Sequence, residues 1–166
     1  MLKIVYMKNL IKTFFIFIVI ISTSNVQAQA GFGVKGGLNF TFFKVEEGSF
    51  GETPDVELGY YIGCFVDFEI ENDFLLQPEL LYINLGDFDF LNAPIYLKYK
   101  IKDHFDILVG PSLNYFFDFS NAKLKVRADL GFAYTFTSRL DLHMKYTIGF
   151  EEISPNGVFL GLACKL

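Results

Sequence analysis

The sequence is poor in several features, and each absence narrows the class of protein. It has no tryptophan. It has only two cysteines in 166 residues, too few for a small scaffold cross-linked by several disulfides. Beyond residue 30 no apolar run approaches the roughly 20 residues that a transmembrane helix needs. A mature chain that resides in a membrane would therefore have to cross it as β-strands.

The first thirty residues have the pattern of a secretory signal peptide. A basic segment is followed by an apolar core at 14–21, which is too short for a spanning helix, and then by small and polar residues at 22–30. Small residues precede two candidate cleavage positions, after Ala28 and after Ala30. We expect residues 1–30 to be removed on export.

Removal of this leader leaves residues 31–166, a length typical of one domain. Met7 is an alternative start to Met1 and begins a more ordinary leader. The leader holds three of the 14 basic residues and none of the 19 acidic ones, so the mature chain is strongly acidic. A nucleic-acid partner is therefore not expected.

Apolar and polar residues alternate with a period of two through most of the mature chain, and this alternation predicts β-strands. The breaks between strands are alternately three-residue turns and longer polar segments. The segment 74–100 shows the pattern most clearly, as a hairpin with a polar break at 86–89. The predicted strands are residues 31–43, 58–70, 74–85, 90–100, 105–116, 123–136, 140–150 and 158–166.

These features predict an all-β fold, an eight-stranded antiparallel up-and-down transmembrane β-barrel of OmpA/OmpX-like architecture. Each strand reaches or nearly reaches the roughly 9–11 residues that cross a bilayer when tilted. The sheet must close, because backbone polar groups cannot stay unpaired in hydrocarbon. A second arrangement stays open: a secreted or periplasmic lipocalin-like barrel, with its apolar face inside, that binds an apolar ligand.

The polar faces of the strands carry nearly balanced charges, and we expect them to face the barrel interior. An eight-stranded barrel is just wide enough for side chains to fill. Unpaired charges there would be costly, so we predict a lumen filled by ion pairs and hydrogen bonds, and no general pore. The residues predicted in this lumen network are Lys35, Gln77, Glu79, Lys98, Arg127, Asp129, His143 and Lys145.

His143 is the residue that most invites a catalytic interpretation. With Ser112 and either Asp141 or Glu79 it could form the Ser-His-acid set of a hydrolase. No nucleophile motif accompanies it, so we interpret His143 as part of a buried polar network. We expect no enzymatic activity, no catalytic residue, no cofactor and no metal site.

The acidic segment 44–57 is rich in glutamate, glycine and proline and is predicted to be a loop. Its carboxylates could hold a divalent cation or contact a partner, but they lack the spacing of a calcium-binding loop. We interpret the segment as a solvated acidic loop and as the candidate interaction loop. Its acidic residues are Glu46, Glu47, Glu52, Asp55 and Glu57.

The two cysteines, Cys64 and Cys164, fall on the apolar faces of the second and eighth predicted strands. In a closed barrel these strands flank the first strand, which places the two residues about 10 Å apart. A disulfide does not reach that far. We therefore predict two free thiols that face lipid.

The mature chain contains four short motifs: GVKGGLN at 33–39, LQPELLY at 76–82, Pro94 with LKY at 97–99, and Gly110-Pro111. They resemble motifs of the PorT-like outer-membrane β-barrel proteins, and the resemblance spans essentially the whole mature chain. It implies a barrel in the outer membrane of a Gram-negative cell, with no catalytic residues to transfer. The implied role is structural or interactive: envelope integrity, surface contact or assistance to a secretion apparatus. Expected partners are outer-membrane lipid and envelope or secretion proteins, with a monomer favoured.

Overall fold

The computed structural model describes residues 30–46, 52–86, 88–117, 124–150 and 156–166. The predicted signal peptide lies outside these residues, apart from Ala30. No helix long and apolar enough to span a bilayer occurs in the part of the chain that is described. The strands are β1 (Ala30–Glu46), β2 (Glu52–Glu71), β3 (Phe74–Leu85), β4 (Phe88–Lys102), β5 (Phe105–Phe116), β6 (Leu124–Thr137), β7 (Leu140–Gly149) and β8 (Asn156–Lys165).

The eight strands form one closed antiparallel barrel. Each strand pairs with the next along the chain, and β8 pairs with β1 to close the sheet. Because the sheet closes, the backbone of each strand has a hydrogen-bonding partner strand on both sides, as a barrel in hydrocarbon requires. The predicted all-β, eight-stranded up-and-down fold is thus confirmed.

The two ends of the barrel differ in their connections. Short turns at 72–73, 103–104 and 138–139 lie at one end, which we call the turn end, together with the start of β1 and the end of β8. The other ends of the strands lie at the opposite, loop end. There the β3–β4 connection includes Gly86, whose φ of 67° lies in the left-handed region that glycine adopts without strain.

The prediction of a loop over 44–57 was wrong for most of that segment, which forms parts of β1 and β2. β1 continues to Glu46, β2 begins at Glu52, and these two residues are partners in the ladder. Asp55 and Glu57 lie within β2, whereas Glu47 lies outside the described residues. The composition of the segment favoured a loop, but the antiparallel ladder of two neighbouring strands supplies backbone hydrogen bonds whatever the composition.

The outer surface of the barrel is apolar. Ile62 is 62% exposed and Leu58 is 59% exposed, and a soluble monomer does not expose so extensive an apolar surface. From Tyr60 to Ile70, β2 rises roughly 25 Å along the axis of a tilted barrel, which matches the lipid-facing band of outer-membrane barrels. This apolar belt includes Val34, Leu38, Ile62, Leu80, Ile95, Leu97, Val109, Leu113, Val126, Leu130, Met144, Ile148, Leu160 and Leu162.

The two cysteines lie in the apolar belt on either side of one residue of β1. Val34 is the ladder partner of Cys64 on one side and of Cys164 on the other. Both thiols are free and exposed. The prediction of two free, outward-facing thiols is therefore confirmed, because each cysteine occupies the expected strand and face.

Candidate functional site in the barrel lumen

The inward faces of the strands build a polar lumen, which is the candidate functional site. Period-two alternation explains the burial, since successive side chains of a strand point to opposite faces of the sheet. The eight residues predicted for the lumen network all lie buried, and none is more than 7% exposed. They are Lys35, Gln77, Glu79, Lys98, Arg127, Asp129, His143 and Lys145.

Lys35 and Glu79 form an ion pair that reaches past β2. Lys35 Nζ lies 2.5 Å from Glu79 Oε1, and Gln77 Nε2 donates a hydrogen bond of 3.0 Å to the same oxygen. The ladder partners of Lys35 and Glu79 on β2 are Gly63 and Phe65, so the two side chains meet across that strand. Lys35 also lies 5.6 Å from the centroid of the Phe65 ring. Two of the predicted residues thus neutralise each other across a strand.

Asp129 is the centre of a second group. Its carboxylate accepts hydrogen bonds from Tyr96 Oη at 2.7 Å and from Ser112 Oγ at 2.9 Å. The ammonium of Lys145 lies 3.3 Å away and also donates to Asn92 Oδ1 at 3.0 Å. A carboxylate only 2% exposed needs such compensation, since an isolated buried charge is very costly. These contacts join β4, β5, β6 and β7 across the lumen.

Charged side chains close the turn end of the lumen. Lys98 Nζ lies 3.0 Å from Asp106 and 4.0 Å from Asp141. Lys165 Nζ lies 3.7 Å from Asp141 and 3.7 Å from Asp67. Lys165 is the most accessible member, with its side chain 31% exposed. Two ammonium groups are thus shared among three carboxylates at this mouth.

Apolar side chains fill the lumen toward the loop end. Leu85 and Phe90 flank the β3–β4 connection, and the rings of Phe90 and Phe116 stack with centroids 4.6 Å apart. The Arg127 guanidinium lies 5.6 Å from the centroid of Phe116, a cation–π contact. We call the buried apolar group the loop-end cluster: Tyr61, Leu81, Ile83, Leu85, Phe90, Phe116 and Phe159.

A hydrogen bond between Tyr61 Oη and His143 Nε2 spans two strands. The residues between them in the ladder are Gly37 and Gly161. A Cβ on Gly161 would lie 2.3 Å from the Tyr61 hydroxyl oxygen, so only glycine leaves room for the phenol to cross. His143 is therefore held by Tyr61, whereas Ser112 donates to Asp129. The hydrolase set considered for His143 and Ser112 is not assembled.

The middle of the lumen contains a small cavity of about 20 Å³. Such a volume holds about one water molecule. Glu79 Oε2 and His143 Nδ1 have no hydrogen-bond partner among the described residues, so the lining is polar enough for a water. Within the same described ranges, no group of three or more His, Cys, Asp or Glu could hold a metal ion. The lining includes Lys35, Tyr61, Glu79, Tyr96, His143 and Lys145.

Several members of this network were not among the predicted site residues. Tyr96 and Ser112 bind Asp129, and Asn92 Nδ2 donates to Asn114 Oδ1 at 3.1 Å. Each lies on the polar face of its strand, so the period-two alternation contained the signal. A residue's face was readable from the sequence, but its partner was not, because the partner depends on the register of strands far apart in the chain.

The fold and the belt together define the class: an eight-stranded barrel of the outer membrane. No protein-family model matches this chain, and no curated protein matches its sequence. A de novo designed transmembrane β-barrel is similar in structure, with a TM-score of 0.56, 15% identity, and coverage of 82% of this chain and 95% of the other.

The outer-membrane protein Ail of Yersinia pestis is similar in two structures. One was determined with the heparin analogue sucrose octasulfate, with a TM-score of 0.52, 13% identity, and coverage of 82% of this chain and 99% of Ail. The other was determined in a phospholipid nanodisc, with a TM-score of 0.51, 11% identity, and coverage of 83% and 100%. At these identities the likeness concerns the fold alone. Outer-membrane localisation agrees with this fold and with the apolar belt.

We predict that removing one member of the Lys35–Glu79 pair destabilises the barrel more than removing both charges. Lys35→Met should lower the free energy of unfolding by about 3–5 kcal/mol, because it leaves a buried carboxylate without its cation. The double variant Lys35→Met/Glu79→Gln should recover most of this loss, because no buried charge is left unpaired. The side-chain oxygen at position 79 can still accept the hydrogen bond from Gln77. Denaturant unfolding followed by far-UV circular dichroism measures the difference. Equal losses in the single and double variants would contradict a coupled pair.

We also predict that Gly161→Ala destabilises the barrel and displaces the Tyr61–His143 contact. The added methyl would collide with the Tyr61 hydroxyl and with the carbonyl of Gly36, at a cost of about 1–3 kcal/mol. Gly31→Ala is the matched control, because the nearest atom to its added Cβ lies 3.7 Å away. The same unfolding assay compares the two variants. The steric account fails if both are equally stable.

Proposed function

We propose that the protein is a non-enzymatic integral outer-membrane barrel with a structural or interaction role, and that it is not a general pore. The observation that carries this proposal is the filling of the lumen at three levels. Carboxylates and lysines occupy the turn end, the Asp129 group occupies the middle, and the loop-end cluster occupies the other end. A solute would have to displace paired charges or packed aromatic rings to pass.

The paired charges connect strands across the interior of the barrel. Lys145 of β7 binds Asn92 of β4, and Tyr96 of β4 binds Asp129 of β6. Opening a channel would separate these partners, and each buried charge left alone is strongly destabilising. These contacts favour a rigid, closed lumen over a gated one.

The orientation of the faces argues against the lipocalin-like alternative. Such a barrel needs its apolar face inside to hold an apolar ligand. Here the apolar residues of the belt are exposed, whereas Lys35, Lys98 and Asp129 of the opposite face are buried. The energetics support a lipid-facing exterior, since an apolar belt in water would drive association.

A closed lumen leaves the exposed ends as the surfaces where partners could bind. The motif resemblance to PorT-like proteins supports contact with other envelope proteins, including components of a secretion apparatus. The barrel can enter lipid as a monomer, because its sheet is closed and has no unpaired edge within the belt.

We expect the purified protein to form no stable channels in a planar lipid bilayer. Its lumen has a cavity of only about 20 Å³ in the middle. Addition of the protein should therefore give the same current trace as addition of detergent alone. Insertion is checked in parallel by flotation of the protein with lipid vesicles. Conductance steps of constant size that scale with protein concentration would contradict the proposal.

A further inference from the structure

The β1–β2 hairpin extends beyond its neighbours at the loop end. Pairing of β1 with β8 stops at Phe42, and pairing of β2 with β3 starts at Tyr60. β1 and β2 nevertheless stay paired with each other as far as Glu46 and Glu52. Within the described parts of the chain, Glu52–Leu58 of β2 therefore has a strand on one side only. We call this segment the free edge.

A free edge presents unpaired backbone groups that can pair with another strand. Pro54 indicates which residues point outward, because proline has no N–H and is tolerated where its nitrogen faces away from the ladder. The N–H and C=O groups of successive residues point to opposite sides of a strand. Those of Val56 and Leu58 therefore point away from β1, as the nitrogen of Pro54 does. The free edge thus offers a short run of donors and acceptors.

Charge and exposed apolar groups limit what could bind there. The sequence at 43–46 and 52–58 contains four acidic residues and the single lysine Lys44. Such an edge attracts a basic segment and repels a second copy of itself, because like charges on adjacent strands are destabilising. Val56 and Leu58 are 50% and 59% exposed, so alternate apolar residues of a partner strand have surfaces to contact.

We propose that the free edge of β2 binds an extended, basic segment of another protein by strand addition. This inference rests on the proposed interaction role and names both its site and the chemistry of its partner. Because Pro54 interrupts the donors, the contact is short and reversible. It lies outside the apolar belt, where a water-exposed partner can reach it.

The test uses a fluorescent ten-residue peptide of alternating lysine and valine and the full barrel in zwitterionic detergent. Fluorescence anisotropy should show saturable binding that weakens as salt increases. Peptides with glutamate in place of lysine, or with proline at every second position, should not bind. If the lysine peptide fails to bind at low salt, the inference is overturned.

Two variants separate the backbone contribution from the charge contribution. Val56→Pro removes one outward donor without removing a donor to β1, and should weaken binding about fivefold, the typical effect of one hydrogen bond. The triple variant E52Q/D55N/E57Q should weaken binding and abolish its salt dependence. The matched control, E71Q/D73N/D103N, neutralises three exposed carboxylates at the turn end and should bind normally. Unchanged binding by both test variants contradicts the proposed site.

Hydrogen exchange identifies the mode of binding. The Val56 and Leu58 amides should exchange rapidly in the free protein and become protected when the peptide binds. Binding without this protection would show a purely electrostatic contact and overturn strand addition. Protection that rises with protein concentration and needs no peptide would show a second copy at the edge, which also overturns the inference. Neither result depends on the conductance assay, so the proposal of a closed lumen and the proposal of strand addition can be rejected independently.

Discussion

The need to pair every backbone polar group in hydrocarbon is the constraint on which this structure depends. A bilayer offers no water to satisfy an open sheet edge, so the strands must close on themselves. Closure of eight strands then sets an interior that side chains alone can fill. Both the apolar belt outside and the crowded polar lumen inside follow from that one requirement.

Enclosing charges in so narrow a lumen makes their pairing obligatory. Lys35 contacts Glu79 across β2, and Asp129 binds a lysine and two hydroxyl groups from three other strands. Glycine makes one of the cross-strand contacts sterically accessible, because Gly161 lets Tyr61 reach His143. The same contacts that stabilise the lumen also fill it, which supports the proposal that partners bind at the ends of the barrel.

Much of the architecture could be predicted from the alternation of residues. A period of two assigned Cys64, Cys164 and the lysines to their faces, because a strand has only two sides. The partners of the buried charges could not be predicted, since Lys35 and Glu79 are 44 residues apart and meet only through the combined register of three strands. The protruding hairpin was mistaken for a loop because the ladder between β1 and β2 does not depend on composition.

The most direct test of the account is the environment of the two native thiols. A fluorophore attached at Cys64 or at Cys164, with the other cysteine replaced by serine, is studied in vesicles that contain lipids spin-labelled at mid-chain. The account predicts strong quenching by these lipids and weak quenching by aqueous iodide, with the reverse for a fluorophore at Ser138→Cys in an exposed turn. Quenching of both native positions by iodide alone would show that the apolar belt does not face lipid, and would contradict the central claim.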